Sequence, residues 1–429
     1  MAEEHDAKLP VSATHPAVAA SMLGAFLAGA FLLWRFHPFA NQVYAAMALM
    51  GLTALGVYLP DLLWRQAWRQ PSATLTRQPP QGSWSRTWTK FAGLLGSMGF
   101  VALLYGLLPE YANGGSFYGN YWSLLRTIVP VWLGLAVPYL FWVDAHMQQP
   151  EDNLWQFGRV VTGHWRGVDG RAVGQHLLGW LIKGFFLPLM FTYLCRDLTS
   201  LYGYKGGQLS SFKGIYDFLY FFLFFTDVGL VSVTYLLSLR VTDTHLRSSE
   251  PTMLGWVVAL ACYDPFWGLI GRQYLAYDNG LSWGAWLGNQ PWLYGIWGTA
   301  ILLLLAIYVW ATVAFGGRFS NLTHRGIITS GPYCFTKHPA YWSKNLSWWL
   351  ISVPFLVNDS VWVTLRHCTL LLMLNGIYFL RAKTEERHLS LDPDYVQYAR
   401  WIDRHGLLRA LNRWPLVGWL ARWRLKFRA

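Results

Sequence analysis

The side chains best placed to do chemistry fall between residues 318 and 400. His338, Tyr341, Asn345 and Trp348 recur at steps of three, four and three, so a helix opening at Pro339 carries all four on one face. Lys344 sits beside that stripe. The approach from Gly316-Gly317-Arg318 to Thr329-Ser330-Gly331-Pro332-Tyr333 reads as a sharply turned polar re-entry. Further on, Arg381-Ala382-Lys383-Thr384-Glu385-Glu386-Arg387 closes another apolar run. Arg381 and Glu385 lie one helical turn apart and can pair. Glu386 is rotated by about 100° from Glu385, so the two acids cannot serve one group equally. Taken alone, the His-Pro step fits a helix cap. The charged heptapeptide equally fits a helix end with solvated charges and a surface pair worth ~0.3–0.5 kcal/mol.

The two segments gain weight from what joins them. Apolar runs at 339–357 and 360–381 are linked by Asn358-Asp359, which forces an antiparallel hairpin. Arg381 and Glu385 then return to the level of His338 and Tyr341. A pocket there, open to the cytoplasm, collects His, Tyr, Asn, Arg and Glu. It suits a reaction between a soluble charged cofactor and a substrate held in lipid.

The elements that must position these residues are membrane helices. Hydrophobic residues make up 54% of the chain and charged residues only 13%, against roughly 25% charged in soluble domains. A span needs about 20 apolar residues. Such runs lie near 16–34, 42–64, 91–109, 121–143, 176–195, 214–239, 252–271, 292–316, 339–357 and 360–381. The expected fold class is therefore all-α: a polytopic integral membrane protein of about ten transmembrane helices.

Of the 34 Lys and Arg residues, 25 fall at Lys8, in alternate loops and in the stretch from Arg381 onward, and five fall on the other side. That bias puts both termini, and the residues of the pocket, on the cytoplasmic side. It also accounts for the net charge of +12 without nucleic acid. Three regions follow: residues 1–291, spans of unassigned role; 292–400, the chemically loaded core; and 401–429, a basic tail. In that tail Leu416, Trp419, Leu420, Trp423 and Phe427 recur at helical spacing among Arg422, Arg424, Lys426 and Arg428, the pattern of an amphipathic helix on a membrane surface. Asp392 and Pro393 read as cap and first residue of the preceding helix, with Gly406 ending it. The four cysteines are too scattered for a disulfide framework or a zinc site. The acidic start, MAEEHDAKLP, does not resemble a cleaved signal peptide.

Ionisable residues inside spans invite a functional reading. Arg366 and Lys183 can snorkel, and Asp264 sits at a helix break before Pro265. Asp227, near mid-span, reads as a partner of a basic residue such as Lys183, with a substrate contact as the alternative.

The segments RGIITSGPYCFTKHPAYW (325–342) and RAKTEERHLSLDPDYVQY (381–398) resemble the isoprenylcysteine carboxyl methyltransferase and phospholipid methyltransferase superfamily. The matching positions are Thr329, Gly331, Tyr333, His338, Pro339, Tyr341, Arg381, Glu385, Glu386, Tyr395 and Tyr398, with Lys337 where the family usually has arginine. The resemblance implies S-adenosylmethionine held by the 329–341 loop and the polar hairpin ends, with Thr329, Gly331, Tyr333, His338, Pro339, Tyr341, Asn345 and Glu386 as its contacts. Arg381 and Glu385 would then stand at the methyl-transfer centre, Arg381 holding a lipophilic acceptor by its polar group and Glu385 orienting it. The related sterol reductases, which use NADPH, offer the alternative. Their His-Pro-x-Tyr-x-Gly-Asp pattern is not kept, because Ser343 and Lys344 stand in its last two places. A non-catalytic lipid-binding or transport protein on the same scaffold is the third reading.

Overall fold

Long apolar runs become long helices wherever nothing interrupts them. The computed structural model describes residues 8–76, 81–112, 117–278, 280–357, 359–409 and 419. Its first half contains α1 (Pro16–Phe36), α2 (Gln42–Leu59, prolonged by a wider turn to Trp64), α3 (Trp84–Leu107), the short α4 (Pro109–Ala112) and α5 (Gly119–His146). There follow α6 (Asn153–Val161), α7 (Gly170–Gly203) and α8 (Phe212–Leu236). The second half contains α9 (Met253–Leu260), α10 (Phe266–Leu269), α11 (Trp283–Leu287), α12 (Pro291–Ala314), α13 (Pro339–Ser352), α14 (Val361–Leu389) and α15 (Pro393–His405). Among the described residues, strand is confined to β1 (Ser248–Ser249) and β2 (Thr323–His324), paired antiparallel, and an isolated bridge from Leu75 to Met147.

Among the described residues, eight helices are long and apolar enough to cross a membrane: α1, α2, α3, α5, α7, α8, α12 and α14. The two other expected runs take different forms. The run at 252–271 is broken into α9, a turn through Asp264-Pro265, and α10 with a wider turn over Ile270–Tyr274. Pro265 lacks the N–H that would continue the ladder, and Asp264 takes up a hydrogen bond from the Tyr193 hydroxyl at 2.8 Å. The run at 339–357 yields only the 14-residue α13, about 21 Å long at 1.5 Å per residue. Val353 ends it in a left-handed conformation (φ 38°), and Pro354 follows, which disfavours further helix.

One apolar core ties α1, α2, α7, α8 and α12 together through Phe26, Leu49, Phe186, Phe191, Phe225 and Val309. α12 lies between α8 and α13, while α14 packs on α9 and α13. The loops that the charge bias assigns to one side do meet at one end of the bundle. There Arg318 is wholly buried between Asp243 (3.2 Å) and Asp61 (3.8 Å), and Lys90 reaches Asp144 at 3.0 Å. The N-terminal strap lies at this end too: Ala13 N–H donates to the Ile327 carbonyl at 2.9 Å, and Ser12 meets Ser330 at 3.1 Å.

α15 begins with Asp392 capping and Pro393 in its first turn, and Gly406 closes it, as its sequence suggests. The basic tail lies largely outside the described residues, beyond residue 409 apart from Trp419.

Candidate active site

The helical hairpin returns the charged end of α14 to the start of α13. The first contact is from Tyr341, whose hydroxyl donates to Glu385 Oε2 at 2.8 Å. His338 Nε2 meets Glu386 Oε1 at 3.1 Å, and its ring lies parallel to that of Tyr341 with centroids 5.4 Å apart. Glu386 also takes the Lys383 ammonium at 2.8 Å and lies 3.6 Å from Lys337. The adjacent acids thus have separate partners, as the rotation between them requires.

Several of these groups border a cleft holding about 970 Å³ of space, a figure that includes its open mouth. His338, Tyr341, Tyr333, Arg381 and Glu385 all line it. Arg381 is buried but does not make the expected pair with Glu385. Its guanidinium donates to Asn321 Oδ1 and, at 3.4 Å, to the Tyr263 hydroxyl. It also lies 5.2 Å from the Tyr341 ring centroid and 5.5 Å from that of Tyr263, in cation–π range. The Tyr333 hydroxyl is raised above the usual phenol range by burial and then by the Glu385 charge, so it stays protonated at neutral pH.

The other expected contacts do not line the cleft. Thr329 is buried and spends its hydroxyl on the Pro10 carbonyl at 2.8 Å, bracing the N-terminal strap. Gly331 turns the chain at φ +62°, where an added Cβ would stand 3.2 Å from Ala314 Cβ. Pro339 is buried in the first turn of α13. Asn345 accepts from Asn375 Nδ2 at 3.0 Å, and Asn375 Oδ1 accepts from Trp349 Nε1 at 2.8 Å. That polar layer fastens α13 to α14. Glu386 stands behind His338 as its hydrogen-bond partner.

Several cleft residues are ones the sequence reading did not name as site residues. Asn321 is held by Tyr235 and Tyr263, with its side-chain amide 2.9 and 3.0 Å from their hydroxyls. The loop carrying it is clamped by Arg325, which donates to the carbonyls of Thr244 (2.8 Å), Phe319 (2.9 Å) and Thr234 (3.1 Å). Asp227 does not pair with Lys183. Tyr308 and Thr312 each donate to it at 2.5 Å, while Lys183 bonds Ser238. Tyr308 and Thr312 line the cleft, as does Lys344, whose ammonium lies 4.9 Å from the Tyr308 ring centroid. An i, i+4 pair such as Tyr308 and Thr312 beside an intramembrane Asp is a legible signal for a polar layer. The Asn321–Arg381 contact has no local signal.

Residues 292–391 match the isoprenylcysteine carboxyl methyltransferase (ICMT) family model. This is the family that the motifs resemble. The ICMT-matching segment supplies α12, the loop with Asn321, and the hairpin of α13 and α14. Tyr263 and Glu250 enter the same cleft from outside it. No curated protein and no solved structure matches the chain.

Proposed function

We propose that this protein is a membrane-embedded methyltransferase that uses S-adenosylmethionine and acts on a lipophilic acceptor at the cytoplasmic face. The observation that carries this reading is the shared cleft: His338, Tyr341, Arg381 and Glu385 line it together, and they lie in the segment that matches the ICMT family. The charge bias of the loops supports the cytoplasmic placement.

The residues present fit such a cofactor. Aromatic faces at Tyr263, Tyr333, Tyr341 and Tyr378 suit a sulfonium and an adenine, and Glu385 supplies a carboxylate beside them. When bound, the cofactor supplies a methyl group on a positively charged sulfur. Arg381, fixed by Asn321 and Tyr263, would hold the polar end of the acceptor. Glu385, fixed by Tyr341, would orient it. The tyrosines exclude water, and placement supplies most of the rate for an in-line displacement. The greasy part of the acceptor would enter sideways between helices.

Calorimetric titration of detergent-purified protein tests this. S-adenosylmethionine and S-adenosylhomocysteine should bind, and NADPH run in parallel should not. Binding of NADPH alone would transfer the assignment to a reductase. Silence from all three, with lipid transport in proteoliposomes, would favour a carrier.

A further inference from the structure

Glu250 is a buried acid in the wall of the cleft, contributed by the segment just ahead of α9 and outside the ICMT-matching residues. Its position is over-determined. Oε1 accepts from the Thr252 N–H at 3.0 Å, from the Thr252 hydroxyl and from Arg387. Its Cγ and Cδ pack where a Cβ at residue 255 would stand, at 2.4 and 2.7 Å, so that place in α9 requires Gly255. Its own N–H donates to the Leu322 carbonyl at 2.8 Å, tying it to the loop that carries Asn321.

The second oxygen, Oε2, is buried and has no hydrogen-bond partner among the described residues. His388 Nδ1 stands 3.9 Å away, too far for a hydrogen bond, and His388 Nε2 is engaged with Ser248 at 2.8 Å. Buried acceptors are rarely left unmatched. Here the unmatched oxygen belongs to a carboxylate already held by three donors on its other side, so it cannot turn away to find one. Glu250 lines the same cleft as Arg381 and Glu385 of the proposed reaction centre.

We propose that Glu250 Oε2 accepts a hydrogen bond from an O–H or N–H group of the nucleoside cofactor in this cleft. The assignment rests on the methyltransferase reading and deepens it, because it makes the segment between α8 and α9 part of the cofactor site. Two groups of such a cofactor have the required chemistry, a ribose hydroxyl and the ammonium of its amino-acid arm.

Glu250→Gln addresses the atom directly, since its amide oxygen keeps the Oε1 contacts while its NH2 replaces the acceptor at Oε2. Calorimetry on the full chain should show S-adenosylhomocysteine binding weakened about tenfold or more in this variant. Thr252→Val, which leaves Oε2 in place, should bind nearly as wild type. An equal loss of 5′-methylthioadenosine affinity in Glu250→Gln identifies the ribose hydroxyl as the partner. Unaltered 5′-methylthioadenosine affinity identifies the ammonium. If Glu250→Gln does not fold, Glu250→Asp, which withdraws the oxygen, carries the same test. Wild-type affinity in the variant overturns the assignment alone. No binding by the wild type overturns the methyltransferase reading as well.

Discussion

The carboxylate of Glu385 is matched to a phenol, and that of Glu386 to two ammonium groups and an imidazole. This division sets different expectations for two otherwise similar changes. Glu385→Gln should lower kcat by about 10²-fold, the scale of a lost positioned polar group at a reaction centre. Glu386→Gln should cost about tenfold or less, because it loosens His338 without touching the centre. Methyl transfer from labelled cofactor measures both, and equal losses would contradict the division. Arg381→Lys keeps the charge but not the planar fork that spans Asn321 and Tyr263, so it should resemble Arg381→Ala rather than wild type in the same assay. The residue types of the site were legible from the spacing of His338, Tyr341, Arg381 and Glu385. The partner of Arg381 was not, since an i, i+4 pair is visible in one dimension and a contact with Asn321 is not.

At the scale of elements, the hairpin is the part read most directly, because a short link between two apolar runs leaves the chain little choice. What the runs concealed was their interruption. Hydropathy does not register the left-handed Val353 that ends α13 or the full effect of Pro265, so two runs that read as spans emerge as a short helix and a broken one. The Asn345–Asn375–Trp349 layer compensates inside the hairpin. Asn375→Ala leaves the indole N–H of Trp349 and the amide of Asn345 without these partners, at a cost of about 1–3 kcal/mol. A lowered melting temperature in detergent, with cofactor affinity retained, is the expected result. In sealed vesicles, an impermeant thiol reagent should reach Phe335→Cys and Arg400→Cys from the same side. Labelling from opposite sides would separate His338 from the outward end of α14 and remove the shared cleft.

For the whole molecule, the polar mass gathers at one end, where buried charges have to be matched. Arg318→Met removes the cation between Asp61 and Asp243 and should destabilise the fold by about 3–5 kcal/mol, read as a fall in melting temperature. His324, on β2, is pushed down to about 4 by burial and then by the charge of Arg247. The unfolded chain takes up that proton near the ordinary value of 6.5, so this contribution to stability is whole above pH 6.5 and is lost as pH falls toward 4. Melting curves across that window should steepen in their decline for wild type and flatten in His324→Gln. Composition and charge bias made the membrane class and the common end of the loops legible. They could not reveal that residues 10–13 brace the 327–330 loop, because hydrogen bonds between a strap and a distant turn leave no periodic trace.

Tyr263 and Glu250 have a practical corollary. Each reaches the cleft from upstream of residue 292, so excising the family-matching segment as a minimal enzyme would strip Arg381 of a phenol and the rim of its acid. A graft of that hairpin onto another membrane scaffold should inherit the motif and lose the geometry, unless the pieces on either side of the broken helix travel with it.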